Sequence, residues 1–136
     1  SRENDKVTGY AIPIAGKGLW GTMYGYFAIE PDAETVKGIT FYRHKETPGL
    51  GAEVDKEWFQ SNFIGKKLID TNGSLVSVEV VKGYVSSTDP KAMHKVDGIS
   101  GATITGKGLT TFLKNDLQKY EPYLSKVRKL NQIESL

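Results

Sequence analysis

The chain has 136 residues, 38% of them hydrophobic and 25% charged, and carries a formal net charge of +2. That length supports one domain with a true core, and the charge is too small to argue for a nucleic acid or an anionic membrane as partner. The lack of cysteine excludes disulfides, iron–sulfur clusters, thiolate zinc sites and cysteine nucleophiles, and His44 and His94 alone are too few for a histidine-rich metal site.

No stretch approaches the roughly 18 apolar residues that a membrane span needs, and no signal peptide opens the chain. The polar opening, Ser1 to Lys6, suggests a soluble piece cut from something longer. Val7 to Ile14 reads as a first strand, closed by the turn Ala15-Gly16-Lys17-Gly18. Leu19 to Ile29 reads as a second strand. Trp20, Thr22, Tyr24, Tyr26 and Ala28 share one face, and Leu19, Met23, Phe27 and Ile29 the other, with Gly21 and Gly25 between them. Both faces are fairly apolar, which predicts a central strand covered on both sides. The two glycines signal a bulge, a close approach by backbone or ligand, or mere irregularity.

Glu30-Pro31-Asp32 is a turn and Thr35 to Arg43 a third strand, hairpinned to the second. In the loop Glu46-Thr47-Pro48-Gly49-Leu50-Gly51 the proline and two glycines forbid regular structure. Leu50 there is one apolar side chain between two flexible residues, suited either to a planar ligand or to a tight connection. Glu53 to Phe63 reads as a helix with Val54, Trp58, Phe59 and Phe63 as core contacts, ended by Gly65. Asp70 to Gly73 is a turn and Leu75 to Val81 a strand, with Val76, Val78 and Val80 on one side. Ser86 to Lys95 is a polar loop.

The best helical pattern is Gly108 to Val127, where Leu109, Phe112, Leu113, Leu117, Tyr120, Leu124 and Val127 recur at spacings of three and four. Glu121-Pro122 breaks it, and Pro122 opens a last short helix, Tyr123 to Leu130. Strands first and helices last give an α+β domain, residues 1–136, with a mostly antiparallel β-sheet packed with helices.

Directly before the long helix stands Asp97-Gly98-Ile99-Ser100-Gly101-Ala102-Thr103-Ile104-Thr105. Taken alone, hydroxyl residues and glycine before a helix form an N-cap. The alternative is an anion site, because the first backbone N–H groups lack intrahelical partners and the dipole favours negative charge. A phosphate would gain roughly 0.3–2 kcal/mol from the dipole, too little to hold a cofactor unaided. A covalent bond to a threonine hydroxyl would fix it.

A hydrolase needs a nucleophile, a base and an orienting group, and no nucleophile-elbow motif is present. Neither a Walker motif nor a dinucleotide fingerprint occurs. The composition leaves open a cofactor whose own atoms do the redox chemistry, and a flavin is the organic candidate.

Asp97 to Thr103 resembles the flavinylation motif of the FMN-binding domain family. Glu46 to Gly51 is similar to the second signature of that family. Gly18-Leu19-Trp20-Gly21 with Met23-Tyr24-Gly25, Trp58, Gly65-Lys66-Lys67-Leu68 and Ser125-Lys126-Val127-Arg128 resemble the version found in the C subunit of sodium-translocating NADH:quinone oxidoreductases. The resemblance runs from Gly9 to Arg128, and three signatures in order outweigh the plain cap.

The resemblance implies an FMN-binding-domain fold and FMN joined covalently through a phosphoester to Thr103. The Ile104 and Thr105 N–H groups and the Thr105 hydroxyl would receive the phosphate. Glu46, Thr47, Pro48, Gly49, Leu50 and Gly51 would flank the ring, with Leu50 on its face. Ser100, Gly101 and Ala102 would shape the turn, and Asp97 would serve recognition by a flavin transferase that uses FAD and magnesium. It further implies an electron-transfer subunit of a sodium-pumping complex, passing electrons toward ubiquinone, with other subunits as partners. An N-terminal membrane helix, absent from this chain, would anchor the domain outside the cytoplasm at a bacterial inner membrane. The rivals are the G subunit of the related Rnf complex and a non-redox phosphate- or peptide-binding module. A free-standing flavoenzyme is disfavoured, since no acid–base pair converges on the loop.

Overall fold

A computed structural model of the chain describes residues 2–3 and 6–134. β1 (Arg2–Glu3) and β2 (Lys6–Val7) form a short antiparallel ladder. β3 (Tyr10–Lys17), β4 (Thr22–Ile29) and β5 (Val36–Arg43) form an antiparallel sheet in the order β3-β4-β5. The α+β class and the mostly antiparallel sheet are as expected.

The first strand lies three residues later than its pattern suggested. It begins at Tyr10 and runs on through Ala15, Gly16 and Lys17, so the turn falls at Gly18 to Gly21, closed by Gly18 N–H donating to Gly21 C=O at 2.9 Å. Continuous pairing from Tyr10↔Ile29 to Lys17↔Thr22 outweighs the turn propensity of Gly16. The second strand is central, but it is covered on one face only. Met23, Gly25, Phe27 and Ile29 are buried, while Tyr24, Tyr26 and Ala28 point away from the core. Tyr26 and Tyr42 pack with ring centroids 5.5 Å apart on that open face. Gly25 is both a bulge and a close approach. The register shifts beside it, and a Cβ there would stand 2.1 Å from the Thr40 carbonyl oxygen.

The expected helix Glu53 to Phe63 is broken into a 3-10 turn (Gly51–Asp55), a single α turn, α1 (Glu57–Gln60), and another 3-10 turn (Ser61–Phe63). Lys56, with extended backbone, interrupts it. Val54, Phe59 and Phe63 are buried, but Trp58 is 45% exposed and donates its indole N–H to Glu53 instead of joining the core. The strand expected over Leu75 to Val81 shrinks to β6 (Glu79–Val80), which pairs in parallel with β7 (Lys95–Val96). Ser77 stops it by adopting a φ of +64°, a left-handed conformation that no strand accommodates.

α2 (Thr103–Glu134) is one helix of 32 residues. It starts five residues before its apolar pattern and passes through Pro122 without ending there. Leu109, Phe112, Leu113, Leu117 and Leu124 are buried against the sheet. Each such side chain contributes about 1.5–3 kcal/mol on burial, which outweighs the local penalty of a proline. Gly106, expected ahead of the helix, lies inside it, and Gly108 is needed there for packing. A Cβ on Gly108 would meet the Lys17 carbonyl oxygen at 2.2 Å, and one on Gly16 would meet Phe112 Cβ at 2.1 Å. Glycine lets helix and strand touch where α2 leaves the Asp97–Thr105 turn. Among the described residues no helix is long and apolar enough to cross a membrane.

Candidate functional site

Gly101 has a φ of +76°, and a Cβ there would stand 2.9 Å from Leu50 Cδ2, so Leu50 lies on the turn that precedes α2. The loop Glu46–Gly51 and the turn Asp97–Thr105 therefore form one site although some fifty residues separate them. Gly49, at φ +79°, turns the loop back, and Leu50 and Ala52 donate their N–H groups to Thr47 C=O at 3.0 and 3.1 Å. Thr47, Pro48 and Gly49 are exposed, and Thr47 Oγ1 accepts the Trp20 indole N–H at 3.1 Å.

Asp97 is half-buried and accepts the Val85 N–H at 2.7 Å, while Gly98 N–H donates to Gly83 C=O at 2.8 Å. These bonds fasten the turn to segment 83–85. Ser100 is exposed at the tip and Ala102 is buried. The first ladder bond of α2 runs from Gly106 N–H to Ala102 C=O at 3.1 Å. Ala102 is thus the N-cap residue and has no side-chain oxygen to cap with. Thr103 is the first helical residue, half-buried, and no described residue hydrogen-bonds to its hydroxyl. The N–H groups of Thr103, Ile104 and Thr105 precede the ladder.

Two cavities meet at Thr103. One, of about 180 Å³, is lined by Val80, Lys82, Ala102, Thr103 and Lys107 among others. The other, of about 300 Å³, is lined by Lys82, Gly83, Tyr84, Ser100, Gly101 and Thr103 among others. Lys82, Tyr84 and Lys107 line these cavities without any sequence motif to mark them. Lys82-Gly83-Tyr84 follows the strand without a distinguishing pattern, and Lys107 lay just ahead of the expected helix. Ile104 is exposed and borders an open groove between α2 and the end of β3.

Thr105 departs from its expected role. It is buried, and its hydroxyl donates to Glu46 Oε1 at 2.5 Å, so that hydrogen is committed to a carboxylate. Glu46 is buried too, not set against the loop surface. Its Oε1 also accepts Leu19 N–H at 3.1 Å, and its Oε2 accepts Trp20 N–H at 3.2 Å. Cβ atoms on Gly18 or Gly51 would each fall 2.9 Å from Glu46 Oε1, which is why both positions are glycine. Burial opposes ionisation, but the hydrogen bonds from Thr105, Leu19 and Trp20, with His44 nearby, outweigh it and hold the Glu46 carboxyl below its ordinary value. His44 Nδ1 accepts the Glu46 N–H at 3.1 Å, which leaves the ring proton on Nε2, 2.6 Å from Asp55 Oδ2.

The donor set suits a phosphate monoester better than a metal. It combines unpartnered helix N–H groups, a free hydroxyl and two lysines, Lys82 and Lys107, beside one carboxylate, Glu79, and among the described residues no cluster of ligating side chains could hold a metal ion. A flavin phosphate fits this set, with Leu50 as the adjoining apolar contact.

The family model described as "FMN-binding domain" matches residues 18–118. The C subunit of the Na(+)-translocating NADH-quinone reductase of Pseudomonas aeruginosa is 43% identical over 126 residues, covering 91% of this chain and 48% of the relative. The Chlamydia muridarum C subunit is 44% identical over 131 residues, covering 88% and 41%. Among solved structures, Shewanella oneidensis NqrC superposes with a TM-score of 0.81 at 35% identity, covering 95% of this chain and 58% of that one. The structure of the C subunit from Parabacteroides distasonis gives 0.77 at 42% identity, covering 85% and 56%. The chain spans about half the length of the curated relatives it matches. With both signature loops inside the matched region and folded onto each other, the chain belongs to the FMN-binding domain family.

Proposed function

We propose that the chain is the flavin-carrying part of the C subunit of a sodium-translocating NADH:quinone reductase, with FMN esterified through its phosphate to the Thr103 hydroxyl. One observation carries the reading. A threonine at the start of a long helix leaves its hydroxyl unused by the protein, on the wall between two cavities. A residue serving only as a cap would spend that oxygen on a backbone N–H.

In this reading the N–H groups of Ile104 and Thr105 receive the phosphate oxygens. Lys82 and Lys107 balance their charge. Thr47, Pro48, Gly49 and Leu50 flank the ring system, and Ser100, Gly101 and Ala102 keep the turn narrow enough for both. When bound, the flavin supplies the redox chemistry; the chain binds and orients it. The domain acts as an electron carrier without independent turnover. Attachment by a flavin transferase using FAD and magnesium, with Asp97 in its recognition, belongs to the proposal. So do the other subunits as partners, electron flow toward ubiquinone, an N-terminal membrane helix and a place on the extracytoplasmic side of a bacterial inner membrane.

The test is intact mass after coexpression with a flavin transferase. The wild-type chain should gain the mass of FMN less one water and keep its colour through denaturation. Thr103→Val should show neither. An adduct that survives in Thr103→Val sinks the assignment, and transferase-free material serves as the unlabelled control.

A further inference from the structure

We infer that Glu46 is a positioning residue for the Thr103 hydroxyl: through Thr105 it fixes where α2 begins, and so keeps that hydroxyl out of the helix cap. The inference rests on the phosphoester reading above and moves Glu46 from flavin contact to control of the acceptor oxygen.

The first turn of α2 faces a choice between two starts. As built, Ala102 is the N-cap and Thr103 the first helical residue. Threonine is strongly preferred over alanine at an N-cap. A start one residue later would make Thr103 the cap, and its oxygen would accept a backbone N–H from Thr105 or Gly106. The acceptor would then be consumed inside the protein. The observed start therefore runs against local propensity, and something must hold it.

The Glu46 carboxylate is placed to do so. It takes the Thr105 hydroxyl at 2.5 Å and is itself anchored by the Leu19 and Trp20 N–H groups at 3.1 and 3.2 Å. That bond holds Thr105, and with it the backbone of the first turn, in the place the observed start requires. The anchoring donors belong to the turn Gly18–Gly21, the carboxylate to the loop Glu46–Gly51, and the hydroxyl to the helix. The turn Gly18–Gly21, the loop Glu46–Gly51 and the first turn of α2 thus meet on one side chain. Thr105 lies two residues beyond Thr103 in the first turn of α2, so the effect travels through that backbone as helix start.

The experiment uses the 136-residue chain, purified without flavin, and compares wild type with Thr105→Val, Thr105→Ser and Glu46→Gln. Two quantities are read: the carbon-13 shifts of Thr103, which separate a helical residue from an extended one, and the rate of flavin attachment by the transferase with FAD and magnesium. Thr105→Val should move the Thr103 shifts toward extended values and slow attachment about tenfold, the equivalent of one charge-assisted hydrogen bond. Thr105→Ser should restore both. Glu46→Gln, which keeps an acceptor for Thr105 but turns an N–H toward the Trp20 amide, should fall between. Thr105→Val labelled at the wild-type rate overturns the inference, as does slowed labelling with Thr103 still helical. A wild-type chain that takes no flavin refutes the phosphoester reading instead, and the carbon shifts then decide the helix start alone.

Discussion

The backbone N–H of Ala15 donates to the buried Asp116 carboxylate at 2.8 Å, across 101 residues of sequence. It ties the end of the edge strand β3 to the helix that begins at Thr103. Asn at this position keeps an acceptor, whereas Ala removes it and leaves the N–H unpaired. Asp116→Ala should therefore cost about 1–3 kcal/mol, the penalty of one unmet polar group. Asp116→Asn should cost less. Urea unfolding of the two variants checks the order.

The contact between Gly16 and Phe112 has no room for a methyl group. A Cβ would fall 2.1 Å from Phe112 Cβ. Gly16→Ala should destabilise the chain by about 1–3 kcal/mol through overpacking. Gly38, with open space around its Cβ position, is the control and should tolerate alanine within about 0.5 kcal/mol.

Arg128 is buried near the end of α2. It donates from Nη1 to Ala33 C=O at 2.8 Å and pairs with Glu121. Ala33 sits in a left-handed turn at φ +60°, so the guanidinium pins both the helix and a strained bend. Arg128→Met should cost about 2–4 kcal/mol, since it strands a carboxylate and a carbonyl together. Raising the salt concentration should leave that difference nearly unchanged, because the Arg128 side chain is only 8% exposed.

Pro122 lies within α2 and withholds one ladder hydrogen bond. Pro122→Ala should raise stability by about 1–3 kcal/mol. Thermal unfolding reads the gain, and a lowered midpoint would refute it.

Although burial opposes it, the Glu46 carboxyl is held below the ordinary glutamate value of 4.5 by its hydrogen-bond donors. A carboxyl lowered in the folded state stabilises above its unfolded value, and that contribution vanishes as pH falls through the folded one. The stability difference between wild type and Glu46→Gln should thus be constant near neutrality and shrink below about pH 4.5. Asp32 is lowered too, in spite of burial, by its bonds from Thr35 and Glu34 and by Lys67. It acts equally in both proteins and cancels. Denaturant midpoints across the acid range make the comparison.

The core was plain in the sequence where one period ruled. Leu109 to Leu124 and the alternation of Met23, Phe27 and Ile29 each mark a single buried face. The structure departs from the local pattern where a partner distant in sequence decides the outcome. Gly16 reads as a turn former because the close crossing that requires it is invisible in one dimension. Tyr24 and Tyr26 look like core residues by composition, yet they lie on the open face of the sheet. At the site, the motifs point to Thr103 and the Leu50 loop, and the structure lays that loop on the turn before Thr103. Thr105 and Glu46 bond to each other, which no motif announces, because a hydroxyl and a carboxylate fifty-nine positions apart give no periodic signal. Of the polar opening Ser1 to Lys6, residues 1, 4 and 5 lie outside the described residues.

Ala15 sends its N–H to Asp116 and therefore away from β4, so by alternation Pro13 faces outward as well and offers no donor. The rim of β3 is left with gaps where a visiting strand would seek its bonds. A strand arriving at β3 would lack bonds at these positions, so this edge resists being lengthened into a larger sheet by a neighbouring copy.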